Sequence, residues 1–171
     1  MGDSHNLIEL ISESDISAKV KKMGLEISSF YEGESVVFVV ILNGAIIFAA
    51  DLFRAVSIEC KLDFVKVSSY KGTKSEGKIR FEKDLTLDIS GKNIIIVEDI
   101  IDTGNTIKYL KKHLKRKNPK SIRIASLLMK SDSSELSSKI DWIGFEISSE
   151  FVVGYGLDYN QEFRNLNAIF K

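Results

Sequence analysis

Three carboxylates crowd the stretch from Asn93 to Ile107, NIIIVEDIIDTGNTI: Glu98 and Asp99 adjoin at the end of an apolar run, and Asp102 precedes Thr103-Gly104-Asn105-Thr106. Adjacent acids beside a buried strand repel each other and lose hydration, so they call for a ligand that offsets both costs. A divalent cation would do this. So would a vicinal diol such as that of a ribose, because ionised carboxylates only accept hydrogen bonds and two neighbouring hydroxyls can donate. The bland alternative is a solvated acidic loop, which the apolarity of the preceding residues disfavours. Thr103 to Thr106 place small and hydroxyl side chains at a helix entrance, where free N–H groups, two hydroxyls and a glycine suit a phosphate monoester. An ordinary helix start capped by Thr103 or Thr106 fits the loop alone equally well. It is not a Walker loop, since the Gly-Lys-Ser/Thr ending is missing. Asp102 lies between the two halves, facing whatever is attached to the anomeric carbon of a sugar bound across them.

Strands and helices must alternate to place such groups. Ile16, Val20, Met23, Ile27 and Phe30 form the stripe of an amphipathic helix. Val36 to Ile41, VVFVVI, reads as a strand covered on both faces, and Gly44 to Val56 returns to helical spacing. Strands follow at Leu62 to Val67 and Asn93 to Val97, then a helix from Thr106 to Arg116 and a strand from Ser121 to Met129. This alternation predicts an α/β fold, a central, largely parallel sheet flanked by helices, with ligands beyond the carboxyl ends of the strands. Ser68 to Lys78 and the tail beyond Glu150 read as irregular. Trp142 and Phe145 read as core, and Phe151, on its residue type alone, as a core aromatic.

Composition narrows the function. The 171 residues fit one domain spanning 1–171, and 24 basic against 24 acidic residues give zero net charge, which disfavours a nucleic-acid partner. Val36 to Ala50 is the longest apolar stretch, but Asn43-Gly44 breaks it and it is shorter than the roughly 20 residues of a membrane span, so no membrane partner is expected. Asn6 stands where a myristoylation signal after Gly2 requires Ser or Thr. A single cysteine, Cys60, reads as a small buried hydrophobe, and the N-terminus has no secretory pattern, so the expected compartment is the cytoplasm. His5 and His113 lack metal spacing. Gly154-Tyr155-Gly156 lacks the third glycine of a dinucleotide fingerprint.

Val97 to Thr106, VEDIIDTGNT, resembles the phosphoribosyl pyrophosphate motif of type I phosphoribosyltransferases, specifically that of the hypoxanthine-guanine phosphoribosyltransferase family. The resemblance extends along nearly the whole chain. LNGAIIFAADL, from Leu42, is similar to the family's pyrophosphate loop and SSYKGT to its flexible loop; SLLMK is similar to its purine-contacting lysine segment and FVVGYGLDYNQEFRNL to its purine-binding hood. It implies the type I fold with a small hood from about residues 145–171 and the N-terminal segment. It also implies transfer of 5-phosphoribose to hypoxanthine, and to guanine, with magnesium and in a homodimer or homotetramer.

The roles it implies are specific. Glu98 and Asp99 hold the ribose hydroxyls and, with Asp158, the metal. Asp102 is the catalytic acid or base at purine N7, and Thr103, Gly104, Asn105 and Thr106 hold the 5-phosphate. Lys130 donates to the 6-oxo group, Phe151 stacks on the base, and the Val152 backbone meets its pyrimidine edge. Leu42, Asn43, Gly44 and Arg164 serve pyrophosphate, while Ser69 and Tyr70 close over the reacting centre. The family's first loop usually reads Leu-Lys-Gly or Leu-Arg-Gly with a cis peptide, so Asn43 removes a cation there. Rival readings are a xanthine or pyrimidine enzyme and a non-catalytic sensor of phosphoribosyl pyrophosphate.

Overall fold

The computed structural model describes residues 7–70, 78–133 and 139–171. Its elements run β1 (Glu9–Ile11), α1 (Glu13–Phe30), β2 (Val36–Leu42), α2 (Ile46–Ala55), β3 (Cys60–Tyr70), β4 (Lys78–Lys83), β5 (Asn93–Ile101), α3 (Asn105–Lys115), β6 (Ser121–Lys130), β7 (Trp142–Ile147) and β8 (Ile169–Phe170). Six strands form one sheet in the order β4-β3-β2-β5-β6-β7, parallel throughout except for β4 against β3. The expected α/β architecture is therefore present.

β2 shows why an unbroken apolar run suits the centre of such a sheet, since successive side chains point to opposite faces and both faces are covered. Val36, Phe38 and Val40 pack with Ile16, Val20 and Ile27 of α1 and Phe48 and Leu52 of α2. Val37, Val39 and Ile41 pack with Ile107, Leu110 and Leu114 of α3. The sheet is thus clad by α1 and α2 on one side and α3 on the other. α1 starts at Ser12, whose hydroxyl accepts the Asp15 N–H.

Several elements exceed the sequence-based expectation. β3 continues through polar Ser68 to Tyr70 because it pairs with β4, an edge strand whose alternating charged residues hide its register from a hydrophobicity reading. β7 is the opposite edge, pairing with β6 and carrying buried Trp142, with Phe145 partly buried against the core. β1 and β8 pair antiparallel, and Val153 bridges to Phe170, so the chain's start and tail form one small layer. Cys60 is partly buried against the core; burial and the charge of Glu59 raise its thiol pKa.

Asp63 is a buried acid inside β3 that the sequence reading did not single out. It accepts the N–H groups of Phe64, Thr86 and Leu87, each at 2.8 Å, and the Thr86 hydroxyl at 3.1 Å. Burial alone would raise its pKa, but these donors bring it below the ordinary value. It fastens the connection that feeds β5.

Candidate active site

The chain passes from β2 outward to β3 and from β5 in the opposite direction to β6, so the loops after β2 and β5 diverge at the carboxyl end of the sheet. Such a switch point leaves a crevice. The Leu42–Asn43 peptide is cis, and Gly44 lies so close to β5 that an added Cβ would stand 1.6 Å from Asp99 Oδ2. Leu42, Asn43 and Gly44 are therefore gathered beside the acidic pair. The tail closes the other side, since a Cβ on Gly156 would stand 2.2 Å from the Gly44 carbonyl.

β5 extends past Val97 to Ile101, so Glu98 and Asp99 belong to the strand itself. Glu98 is buried, and its Oε2 is a buried atom without a hydrogen-bond partner. Burial first, then the charge of Asp99 and a hydrogen bond with it, push the Glu98 pKa well above the ordinary value. Burial raises Asp99 also, opposed by hydrogen bonds from Glu98 and the Ile100 N–H and by the charge of Arg164. Of the two carboxyls, Glu98 is therefore the one more strongly driven toward its protonated form. An unpartnered acceptor beside a second acid suits a cation or a hydroxyl donor.

At the next turn, α3 begins on Gly104, which takes φ +69° and gives the helix no side-chain cap. The expected alternative, a threonine-capped start, is absent: Thr103 Oγ1 only touches the Asn105 N–H at 3.5 Å. Uncapped first-turn amides and the positive end of the helix dipole favour an anion there. A concavity of about 100 Å³ is lined by Glu98, Asp102, Thr103, Gly104, Asn105 and Thr106, among others. Its size suits one phosphate group.

β5 pairs with β6 through Ile101 and Met129, which brings Asp102 opposite Lys130. Lys130 Nζ stands 3.4 Å from Asp102 Oδ2. Further along, Arg164 Nη1 donates to the Gly156 carbonyl at 2.6 Å and Nη2 approaches Asp158 Oδ1 at 2.8 Å and Gln161 Oε1 at 3.3 Å. Asp158 also accepts the Gln161 N–H at 2.9 Å.

Phe151 differs from the reading of its residue type: it is 65% exposed and meets Tyr159 edge-to-face, with centroids 5.9 Å apart. The β7 edge strand ends before it, which leaves its ring outside the core. Val152 beside it is buried. Among the described residues no three His, Cys, Asp or Glu side chains form a group able to hold a metal, so Glu98, Asp99 and Asp158 do not make a protein-only cage. His113 instead meets Asp84, its Nε2 2.9 Å from Oδ2. Ser69 and Tyr70 end β3, but their side chains lie outside the described ones, as do residues 71–77 of the same segment and His5.

Comparison with known proteins identifies the family. The family model described as phosphoribosyl transferase domain matches residues 11–160. The hypoxanthine phosphoribosyltransferase of Haemophilus influenzae is 41% identical over 171 residues, covering 98% of this chain and 96% of that protein. The hypoxanthine-guanine phosphoribosyltransferase of Mycobacterium tuberculosis is 38% identical, covering 94% of this chain and 83% of that protein. A solved hypoxanthine-guanine phosphoribosyltransferase from Bacillus anthracis has a TM-score of 0.89 at 40% identity, with 96% of this chain and 95% of that chain covered.

Proposed function

The chain belongs to the phosphoribosyl transferase family, and from that premise we propose that it is a purine-salvage enzyme moving 5-phosphoribose from phosphoribosyl pyrophosphate to hypoxanthine, and to guanine. The purine nitrogen forms a bond to ribose C1 as the C1–oxygen bond to pyrophosphate breaks. The products are the nucleoside 5-monophosphate and pyrophosphate.

One observation carries the choice of acceptor: Lys130 Nζ and Asp102 Oδ2 stand 3.4 Å apart at neighbouring strand ends. The 6-oxo group and N7 are neighbours on one edge of a 6-oxopurine, so a donor beside an acceptor is the complement of that edge. Lys130 donates to the oxo group, and Asp102 takes the N7 proton, a role typically worth about 10²- to 10⁴-fold. Adenine would set its amino group against the lysine and leave both donors unpaired. Exposed Phe151 is available to stack on the base, with the Val152 backbone at its pyrimidine edge.

The ribose hydroxyls fall to Glu98 and Asp99, of which buried Glu98 carries a partnerless oxygen. Thr103 to Thr106 and the uncapped start of α3 take the 5-phosphate. Leu42 to Gly44 and Arg164 take pyrophosphate, with Ser69 and Tyr70 covering the reacting centre. Glu98 and Asp99, with Asp158, would hold magnesium, which typically takes one or two carboxylates and completes its shell with waters and substrate phosphates. When bound, that ion neutralises charge on the departing pyrophosphate. The enzyme acts as a single domain, in the cytoplasm, as a homodimer or homotetramer.

An assay of pyrophosphate release with hypoxanthine, guanine, xanthine, adenine and uracil tests the reading. Hypoxanthine or guanine should react fastest. Faster turnover of xanthine or uracil would reject the acceptor, and failure of every base to elicit pyrophosphate release would reject the enzyme in favour of a sensor.

A further inference from the structure

Gly154-Tyr155-Gly156 has no part in the reaction as described, yet all three residues take positive φ, at +98°, +50° and +101°. A tyrosine keeps that conformation only when its surroundings hold it. Its N–H donates to the Leu166 carbonyl at 2.8 Å, and its hydroxyl donates to Asp51 Oδ2 on α2. The ring is buried; burial and Asp51 beside it raise the phenol pKa, so the hydroxyl remains a donor.

The flanking glycine is as tightly placed. Gly156 abuts the Gly44 carbonyl, Gly44 abuts the Asp99 carboxylate, and neither glycine has room for a methyl group. Gly156 also exchanges hydrogen bonds with Arg164: its N–H donates to the Arg164 carbonyl at 2.9 Å and its carbonyl accepts from the guanidinium at 2.6 Å. The tail at 154–156 thus touches both groups assigned to pyrophosphate, the Leu42 to Gly44 turn and Arg164. α2 leaves that turn directly, with the Ile46 N–H donating to the Asn43 carbonyl at 3.2 Å.

We propose that Tyr155 and Asp51 are positioning residues: their hydrogen bond ties the tail segment at 154–156 to α2 and so sets the spacing between the Leu42 to Gly44 turn and Arg164. The proposal rests on the reading of the chain as a phosphoribosyltransferase. A purely structural role fits less well. The hydroxyl and Asp51 line an open groove of about 630 Å³, and Asp51 keeps its ion pair with Arg54 if the phenol oxygen is lost. Tyr155→Phe therefore strands no buried charge and should fold normally.

The experiment measures Michaelis constants in both directions for Tyr155→Phe, Asp51→Ala, Asp51→Asn and the double variant Tyr155→Phe/Asp51→Ala. Tyr155→Phe should raise KM for phosphoribosyl pyrophosphate and for pyrophosphate about five- to tenfold, the scale of one lost hydrogen bond, with KM for hypoxanthine and nucleotide and the melting temperature nearly unchanged. Asp51→Ala should reproduce the effect. Asp51→Asn, which keeps an acceptor oxygen, should restore most of it, and the double variant should be no worse than either single one. Unchanged constants for the two pyrophosphate ligands, an equal rise for all four substrates, or additive single effects would overturn the proposal while leaving the enzymatic reading intact. A parent protein that turns over no base would overturn both.

Discussion

Replacing Gly44 by alanine puts a methyl group into the tightest part of the crevice. The new Cβ would lie 1.6 Å from Asp99 Oδ2 and 2.7 Å from its Cγ, so one partner must retreat by about 2 Å to reach ordinary contact. The turn cannot back away, because its carbonyl is already against Gly156. Asp99 has a short side chain held by the Ile100 N–H at 2.8 Å, so the carboxylate moves only by giving up that bond. Misplacing a substrate-positioning group by about 1 Å can cost 10²-fold, so kcat/KM should fall about 10²-fold or more, chiefly through phosphoribosyl pyrophosphate. Overpacking should also cost about 1–3 kcal/mol of stability, and each kcal/mol lowers Tm by about 2–4 °C in a chain of this size. Gly91→Ala separates the two effects. Gly91 takes φ +70° with open space around it, so alanine there should cost about 1 kcal/mol and leave the kinetics alone. Steady-state rates and melting curves for both variants decide the matter. A Gly44→Ala protein whose kcat/KM stays within about threefold of the parent would falsify the placement of Asp99 in the substrate site.

Asp102→Asn should lower kcat about 10²-fold with little change in KM for phosphoribosyl pyrophosphate, and parent-like turnover would remove Asp102 from the chemistry. Lys130→Ala should act mainly on the purine, raising its KM and weakening discrimination against adenine; unchanged purine constants would count against it. Glu98→Gln should abolish most activity while stabilising the ligand-free protein, and the sign follows from the raised pKa. Between the unfolded value, 4.5, and the higher folded one, the folded state keeps a proton that the unfolded chain has released, so parent stability falls as pH rises through that window. The advantage of glutamine in denaturation curves should therefore widen as pH rises above 4.5. A gap that stays constant with pH would show that Glu98 is not the protonated partner.

The central strands were legible because β2 and the first half of β5 are apolar on both faces, and a continuous apolar run leaves few alternatives. The edges were not: β4 carries a charge at nearly every second residue, and β1 and β8 are too short to show a period. The strand character of Glu98 and Asp99 was hidden for a similar reason, since polarity reads as a strand end while β5 stays paired with β6 as far as Ile101. Within the site, local motifs could be read but distant pairings could not. Asp102 and Lys130 stood out separately, and only the β5–β6 register sets them opposite each other. Phe151 was misread from its type, because nothing local indicates that β7 ends before it. Asp51 with Tyr155 had no signal at all, being joined by packing between residues 104 positions apart.

The charged residues of the site pair largely with one another, but at unequal cost. The Asp102 side chain is 63% exposed and that of Lys130 only 19%, so water can replace the lysine on Asp102 while Lys130 needs a new acceptor from its surroundings. That suits a contact that must be exchanged for a purine edge and regained at each turnover. Glu98 is buried and Asp99 beside it partly buried, and Glu98 Oε2 has no hydrogen-bond partner. Only a ligand bringing donors or positive charge into that space removes the deficit. On the proposed assignment, binding energy is concentrated at the ribose and pyrophosphate end, where Glu98 keeps a partnerless oxygen, and selectivity at the purine end, where a mismatched base leaves Lys130 or Asp102 opposite the wrong group. On that assignment, the burial that raises the pKa of both acids is also what makes the pair respond strongly to phosphoribosyl pyrophosphate.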